Sequence, residues 1–337
     1  MNVRPRTLPL LGLLGVCAVG CQSDGPQVES ADVGVSLVER DTDLAMEVRL
    51  SDANQAKDAG DYAAAMAMFR EILAENPTVG DAYIGIGGIY IDQRDYDQAV
   101  RYYERAARLE PRNFEAQHGY GFALQMVDRL VDAIKAYHRA LTIEPENPQA
   151  NFNMATTYLQ LGEVNNALVF AEKAVQIDPA NGPARANLGA VYEQVGRDAD
   201  AIRQYDAALE LMEPSGPLLM NLLNALAREN RFDEAKNTAE VLIKLEPSAN
   251  AYERLGWAQF RLKDYASSID AYRRGVEMDP DHWPSLNGVG VNALNAWLIS
   301  GKSNAEAARE ARESFRRSLR VNTDQPKVIR LLQDYGL

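Results

Sequence analysis

The chain has 337 residues, and its 48 acidic residues outnumber its 35 basic residues to give a formal net charge of −13. Because nucleic-acid affinity depends mainly on lysine and arginine that displace counterions from phosphates, this balance disfavours nucleic acid as a ligand. The two cysteines lie near the N-terminus and the three histidines lie at unrelated positions, so their spacing predicts neither a metal site nor a thiol nucleophile.

The N-terminus has the pattern of an export signal. Arg4 and Arg6 precede an apolar run over residues 8–19 that contains no charged residue. A run of about 12 residues is too short to cross a hydrocarbon core, which takes about 20 apolar residues. A basic segment followed by a short apolar segment is typical of a secretory signal peptide. We therefore expect residues 1–20 to be removed when the chain is exported.

The residues around Cys21 predict how this signal ends. Residues 18–21, AVGC, resemble the lipobox of bacterial lipoproteins, although Ala18 stands where that family usually has leucine. The resemblance implies cleavage before Cys21, acylation of its thiol and loss of Cys17 with the signal. Because Gln22 rather than aspartate follows, the sorting rule for enteric lipoproteins implies the periplasmic face of the outer membrane. The alternatives are ordinary cleavage, which leaves a soluble periplasmic protein, and a CxxxC metal site.

A polar segment follows the lipidation site. Residues 21–43 contain few large apolar side chains and many serine, aspartate, glutamate and glycine residues. Such a composition buries too little apolar surface to fold alone and is typical of a flexible linker. We expect this segment to be a tether that holds a folded domain away from the bilayer.

From residue 44 onward the chain repeats itself about every 34 residues. An alanine column keeps this spacing over six units, and an aromatic residue follows the alanine by four positions in most of them. The alanine column consists of Ala65, Ala99, Ala133, Ala167, Ala201 and Ala235. The following column consists of Phe69, Tyr103, Tyr137, Ala171, Tyr205, Ala239 and Tyr272.

Each unit is predicted to contain two helices that end at a proline, which cannot continue a helix. In the second helix of one unit, Ala99, Tyr103 and Ala106 recur at i, i+4 and i+7 and therefore share a face. The first helix carries a column of small residues. Because glycine costs about 0.5 to 1 kcal/mol in a helix, its recurrence there predicts close packing of the backbone. The column is Ala53, Gly87, Gly121, Ala155, Gly189, Leu223, Gly256 and Gly290.

These columns resemble those of tetratricopeptide repeat (TPR) proteins, and the segment Asp81–Pro111 matches the family pattern over its whole length. The resemblance implies an all-α solenoid, a right-handed superhelix of about eight helix-turn-helix units over residues 44–325. The eighth unit is lengthened by about nine residues relative to the second. Residues 326–337 are predicted to form a C-terminal helix that caps the exposed apolar end.

In TPR proteins the first helices line the concave face, and the resemblance implies a groove with a mixed apolar and polar lining here. The family's groove columns correspond to Ile84, His118, Phe122, Met126, Phe152, Thr156, Leu159, Met220, Asn224, Trp257, Phe260 and Arg261. A second column, Asn153, Asn187 and Asn221, recurs every 34 residues. An amide can pair with both groups of a peptide bond, so this ladder is interpreted either as a clamp on the backbone of an extended client or as structural asparagine.

The sequence therefore predicts a noncatalytic scaffold or assembly factor that needs no cofactor and binds extended or helical segments of envelope proteins. Proteins similar in plan are the pilotin-like TPR lipoproteins of type IV pilus assembly and the TPR adaptors of peptidoglycan enzymes. The alternative is an accessory subunit of a complex that makes or exports polysaccharide. The predicted partners are proteins or peptides of the envelope, and a membrane through the lipid anchor.

Overall fold

The computed structural model describes the backbone of residues 31–337 and the side chains of residues 44–337. This part of the chain forms seventeen α-helices and no strand. The predicted signal peptide and Cys21 lie outside the described residues. The helices are α1 Ala31–Asp58, α2 Tyr62–Glu75, α3 Gly80–Asp92, α4 Tyr96–Leu109, α5 Phe114–Met126, α6 Leu130–Ile143, α7 Pro148–Gln160, α8 Val164–Ile177, α9 Gly182–Gln194, α10 Asp198–Leu209, α11 Gly216–Arg228, α12 Phe232–Leu245, α13 Ala249–Arg261, α14 Tyr265–Met278, α15 Trp283–Ile299, α16 Ala305–Val321 and α17 Pro326–Tyr335.

The first sixteen helices form eight antiparallel pairs, which confirms the predicted all-α solenoid of eight units. In each pair the odd-numbered helix is the first helix of the unit and the even-numbered helix is the second. Most second helices end two residues before the repeating proline, as α4 does at Leu109 before Pro111. The exception is α10, which ends at Leu209 and is followed by a longer turn before Pro214.

The first helix begins earlier than the sequence predicted. Helix α1 starts at Ala31, so residues 31–43, which were assigned to the tether, have helical backbone here. This stretch contains no proline, and a helix that already continues to Asp58 needs only further turns and no new nucleus to extend towards the N-terminus. The boundary at residue 44 therefore does not coincide with the start of a helix.

The turn inside each unit contains left-handed backbone, at one residue in each of the first seven units and at both Gly301 and Lys302 in the eighth. Glycine occupies this position in three units, at Gly60, Gly162 and Gly196, with φ between 76° and 80°. Non-glycine residues adopt the same conformation in four other units, at a cost that glycine avoids. These residues are Arg94, Asp128, Asn230 and Lys263.

The small-residue column of the first helices makes room for aromatic rings. A Cβ atom on Gly87 would lie 2.8 Å from the ring of Tyr103, the aromatic residue of the second helix of the same unit. The other face of the Tyr103 ring fills the space beside Gly119, in the first helix of the next unit. Each such ring is therefore held between two first helices. The predicted close packing is confirmed, and the group that packs against these glycines is an aromatic ring rather than a backbone.

The lengthened eighth unit keeps the same contact. Phe315 packs against Gly290, where an added Cβ would lie 2.6 Å from the ring. The aromatic residue comes 25 positions after the glycine here, against 16 for the pair Gly87 and Tyr103. The extra residues lengthen α15 and α16 to 17 residues each. The ring contact thus has the same geometry in a longer helical pair.

Helix α17 covers the C-terminal end of the solenoid, as predicted. Val328 is buried, and Leu331 and Leu332 pack against the cluster that contains Phe315. The buried side chain of Gln325 donates to the backbone oxygens of Ser318 and Asn322 and fixes the start of the helix. Within the residues that the structure describes, no helix combines the length and the apolar character that a membrane span requires.

We expect the two neighbouring glycines of α3 to respond in opposite ways to alanine. Gly87→Ala should lower the free energy of unfolding by about 1 to 3 kcal/mol, because the new methyl group overlaps the ring of Tyr103. Gly88→Ala should raise it by about 0.5 to 1 kcal/mol, because the nearest atom to its methyl group is 3.7 Å away. Urea unfolding of both variants measures the difference. Equal shifts in one direction would contradict the packing described here.

Candidate functional site

The first helices form one layer of the solenoid. Neighbouring first helices contact each other from α1 through α11 and again between α13 and α15, whereas second helices mainly contact first helices. Closer spacing of the first helices places them on the inner side of the curve, as the groove prediction requires. Helices α11 and α13 contact each other less than any other neighbouring pair of first helices in residues 31–337.

A cavity of about 800 Å³ opens mainly between α13 and α15, and Met220 is its one lining residue from α11. Four of the residues assigned to the groove from the sequence line it together: Met220, Trp257, Phe260 and Arg261. Its volume lies in the range of about 300 to 1,000 Å³ that is usual for ligand pockets. Aromatic and aliphatic side chains provide most of its wall, which suits the burial of apolar side chains from a partner.

The sequence prediction missed several residues of this cavity. Glu253 and Asn287 line it. Both occupy the same repeat column as Met220, so that column could have identified them as groove residues. Trp283 also lines it and is 39% exposed. Trp283 is the first residue of α15, a position outside the family's groove columns, and no repeat signal could have indicated it.

Trp257 and Arg261 of the cavity wall pack against the ring of Phe232. Trp257 meets Phe232 edge to face with ring centroids 5.5 Å apart. The guanidinium of Arg261 lies 4.3 Å from the centroid of Phe232 and 5.6 Å from that of Trp257, and it donates to Asn230 Oδ1 at 3.3 Å. Cation–π contacts of this kind hold an arginine side chain in place at a rim. Arg261 therefore presents a fixed positive charge at the edge of an aromatic surface.

One carboxylate lies within the cavity wall. Glu253 is largely buried, and burial raises its pKa above the ordinary value, while the charge of Arg254 opposes this effect. The two side chains approach to 3.5 Å between Arg254 Nε and Glu253 Oε2. With Arg261 at the rim, the cavity holds two positive groups and one carboxyl group whose charged form is disfavoured.

The other predicted groove residues lie away from this cavity. Phe122 is half-buried and packs against the core cluster of the second to fourth units. Phe152 and Asn224 are also half-buried, and neither lines the cavity. Ile84 is 6% exposed and belongs to the core. Of the predicted groove residues, those of the C-terminal half therefore share one cavity, and those of the first half do not line it.

Asn153 does not contribute a free amide to the predicted ladder. It is 5% exposed, its Nδ2 lies 3.0 Å from Nε2 of His118, and its Oδ1 accepts from Gln149 Nε2 at 3.0 Å. Both polar groups of the amide are therefore used within the chain. The assignment of Asn153 to client binding is corrected: its side chain ties α7 to α5.

The other two ladder residues are more available. Asn187 donates to Thr156 Oγ1 at 3.1 Å, and its Oδ1 has no hydrogen-bond partner among residues 44–337. The side chain of Asn221 is half-buried and forms no hydrogen bond in the same part of the chain. Asn221 therefore leaves both of its amide groups free for a client backbone, whereas Asn187 must first expose its buried Oδ1. In residues 44–337 no group of three or more histidine, cysteine, aspartate or glutamate side chains is placed to hold a metal ion.

Comparisons with known proteins were made for the whole chain. Three family models described as tetratricopeptide repeat match residues 56–119, 148–181 and 220–282. A curated relative, the small glutamine-rich tetratricopeptide repeat-containing protein 2 of Mycosarcoma maydis, is 33% identical over 97 residues. The match covers 28% of this chain and 28% of that relative.

Solved structures share the fold. The C-terminal part of a TPR repeat-containing protein from Cytophaga hutchinsonii is 17% identical, with a TM-score of 0.57, over 71% of this chain and 99% of that one. PilF of Pseudomonas aeruginosa is 18% identical, with a TM-score of 0.56, over 62% and 96%. YrrB, described as a TPR protein with an unusual peptide-binding site, is 18% identical, with a TM-score of 0.51, over 59% and 99%.

His118 should make the stability of the protein depend on pH. Its imidazole lies between Phe114 and Tyr137, and burial lowers its pKa to about 4. In the unfolded chain its pKa is about 6.5, so between these values the unfolded chain binds more protons and the free energy of unfolding falls as the pH falls. We expect a loss of about 2 kcal/mol between about pH 7 and about pH 5.

Urea unfolding of the wild type and of His118→Gln at both pH values isolates this contribution. The glutamine can still accept the hydrogen bond from Asn153 and does not titrate, so the variant should lose about 2 kcal/mol less on acidification. The same pH dependence in both proteins would show that carboxylates, and not His118, are responsible.

Proposed function

Because the chain belongs to the tetratricopeptide repeat family, whose repeats form protein–protein interaction scaffolds, we propose that it is a noncatalytic assembly factor of the bacterial cell envelope. Its concave groove binds an extended or helical segment of a client protein of the envelope. Acylated Cys21 holds the solenoid at the periplasmic face of the outer membrane. The protein then assists assembly by raising the local concentration of the client at that membrane.

The cavity between α11, α13 and α15 is the observation that supports client binding most strongly. Trp257, Phe260 and Trp283 bring three large aromatic side chains to one opening on the layer of first helices. Tryptophan and arginine are enriched among the residues that dominate binding energy at protein interfaces. A soluble domain rarely leaves such a surface open unless a partner covers it.

The shape of the cavity favours a segment over a folded surface. A concave opening of about 800 Å³ admits projecting side chains, which a helix or an extended chain supplies and a flat protein surface does not. Apolar or aromatic anchors of the client enter between Trp257 and Trp283. Arg261 at the rim favours a neutral or acidic residue of the client beside that anchor.

The asparagines on the first helices supply contacts along the rest of the segment. Asn187 and Asn221 are 34 residues apart and lie in equivalent positions of consecutive units. Their amide groups can pair with backbone groups of an extended client whatever its side chains are. In this arrangement the cavity binds an anchor residue of the client, and the two amides bind the client backbone that leads to that residue.

Membrane attachment is supported by the residues around Cys21. The apolar run over residues 8–19 and the sequence AVGC over residues 18–21 together fit an export signal that ends in a lipidated cysteine. Stable anchoring needs more than one acyl chain, because each buried CH₂ contributes only about 0.8 kcal/mol. Lipidation of a lipoprotein cysteine supplies several chains at one residue and so meets this need.

Trp257→Ala should weaken client binding. The probe is a peptide selected on the full-length protein from a displayed random library, and its Kd is measured by titration calorimetry. Loss of a central aromatic anchor costs 2 kcal/mol or more at most interfaces, so we expect Kd to rise by about 30-fold. Val169→Ala is the matched control, because Val169 is 62% exposed on the second helix α8 and should leave Kd unchanged.

A thermal melt of both variants separates lost binding from lost folding. If Trp257→Ala keeps the wild-type Kd while the peptide still binds, the cavity is not the client site. If both variants weaken binding equally, the peptide lies elsewhere on the solenoid, and the groove proposal fails.

Cys21→Ser should release the protein from the membrane. In cells that export the wild type, the variant should move from the membrane fraction to the soluble periplasmic fraction and lose labelling by a palmitate analogue. The same substitution at Cys17 is the control and should change neither property, because Cys17 is removed with the signal. Retention of Cys21→Ser in the membrane fraction would refute lipid anchoring and would leave the groove proposal intact.

A further inference from the structure

Helix α16 carries an unusual concentration of positive charge for so acidic a chain. It contains five arginines and three glutamates, while the chain as a whole has a net charge of −13. Four of the arginines are exposed and follow each other at intervals of three, four and four residues, which places them on one face of the helix. These four, the arginine face, are Arg309, Arg312, Arg316 and Arg320.

The arginine face is not neutralised by the part of the chain that the structure describes. Its four side chains and Glu313 line one shallow cavity of about 390 Å³, and none of the four forms an ion pair within residues 44–337. The nearby Glu310 is paired with Arg273 at 2.7 Å, and Glu306 is exposed at the start of the helix. Like charges at i and i+4 destabilise a helix, so binding to an anionic surface would relieve the repulsion between these arginines.

We propose that the arginine face docks on the anionic phospholipid headgroups of a bilayer. The guanidinium group matches phosphate with two parallel hydrogen bonds, and each basic residue near an anionic membrane strengthens binding by about fivefold. The face is a straight row of about 16 Å, which suits a flat surface. The cavity beside it has no aliphatic or aromatic lining residue and so offers no anchor for a protein partner.

The residues beyond α16 extend this surface. Lys327 and Arg330 are exposed on α17, and Val321 and Ile329 are 44% and 38% exposed at the same end of the solenoid. Basic residues interspersed with a few exposed apolar side chains are typical of segments that rest on a headgroup layer. Nucleic acid carries the same phosphate chemistry, so binding to duplex DNA without binding to the vesicles would overturn the membrane assignment.

A membrane contact at α16 gives the solenoid a second attachment point. The acylated cysteine precedes the first unit, and the arginine face belongs to the eighth, so the two contacts lie at opposite ends of the repeat series. Two attachment points restrict rotation about the tether and orient the groove relative to the membrane. The docking itself does not depend on lipidation, and its test removes the lipid in every sample.

The experiment measures binding of the full-length chain with Cys21→Ser to vesicles of phosphatidylcholine, with and without phosphatidylglycerol. The test variant changes the arginine face to glutamine at all four positions. The control variant removes the same charge from four exposed arginines that form no ion pair within residues 44–337 and lie in earlier units. The control positions are Arg70, Arg101, Arg112 and Arg139.

Binding should require phosphatidylglycerol and weaken as salt is added. The test variant should bind about 100-fold more weakly or worse, and the control variant should bind within about threefold of its parent. Circular dichroism of each protein checks that the helices are retained. Equal losses in the two variants, no loss in the test variant, or equal binding to uncharged vesicles would overturn the proposal, as would binding to polyglutamate but not to vesicles.

Discussion

The solenoid depends on one repeated contact, the ring of a second-helix aromatic residue packed against a glycine of a first helix. Tyr103 lies between Gly87 and Gly119, and Tyr272 lies between Gly256 and Gly288 in the same way. The ring excludes water and makes close contacts on both sides. Such packing tolerates little change in the volume of the side chains involved. It joins the two helices of a unit and also joins that unit to the next. A solenoid has no other route by which distant repeats can stabilise each other.

This contact is not present in every unit. In the sixth unit the aromatic position is Ala239, so no ring stands between α11 and α13, and Arg254 occupies the position that glycine holds beside Tyr103 and Tyr272. These two first helices contact each other less than other neighbouring first helices do, and Met220 of α11 extends the cavity that α13 and α15 form. Ala171 makes a similar substitution in the fourth unit, next to Asn187 with its unpaired amide oxygen.

The repeat pattern predicted the fold almost completely, because each column is a packing position and the same contacts recur every 34 residues. Eight units, the turn positions and the terminal cap all follow from that periodicity. The pattern was less informative about residues 31–43, which have helical backbone in α1 but precede the first residue of the repeated columns, Ala53.

Site residues were predictable only in part. A column identifies which positions face the groove, and Met220, Trp257, Phe260 and Arg261 do meet in one cavity. A column does not show which amide is already paired inside the chain, and Asn153 was therefore misassigned: its partner His118 lies in another unit and outside the asparagine column.

The most direct test of the groove is amide hydrogen exchange of the full-length protein with and without a bound client segment. If the concave layer binds the client, the slowed amides will concentrate in α11, α13 and α15, which line the cavity. Protection confined to the second helices α12 and α16, with unchanged exchange in these three, would place the client on the outer surface and contradict the account.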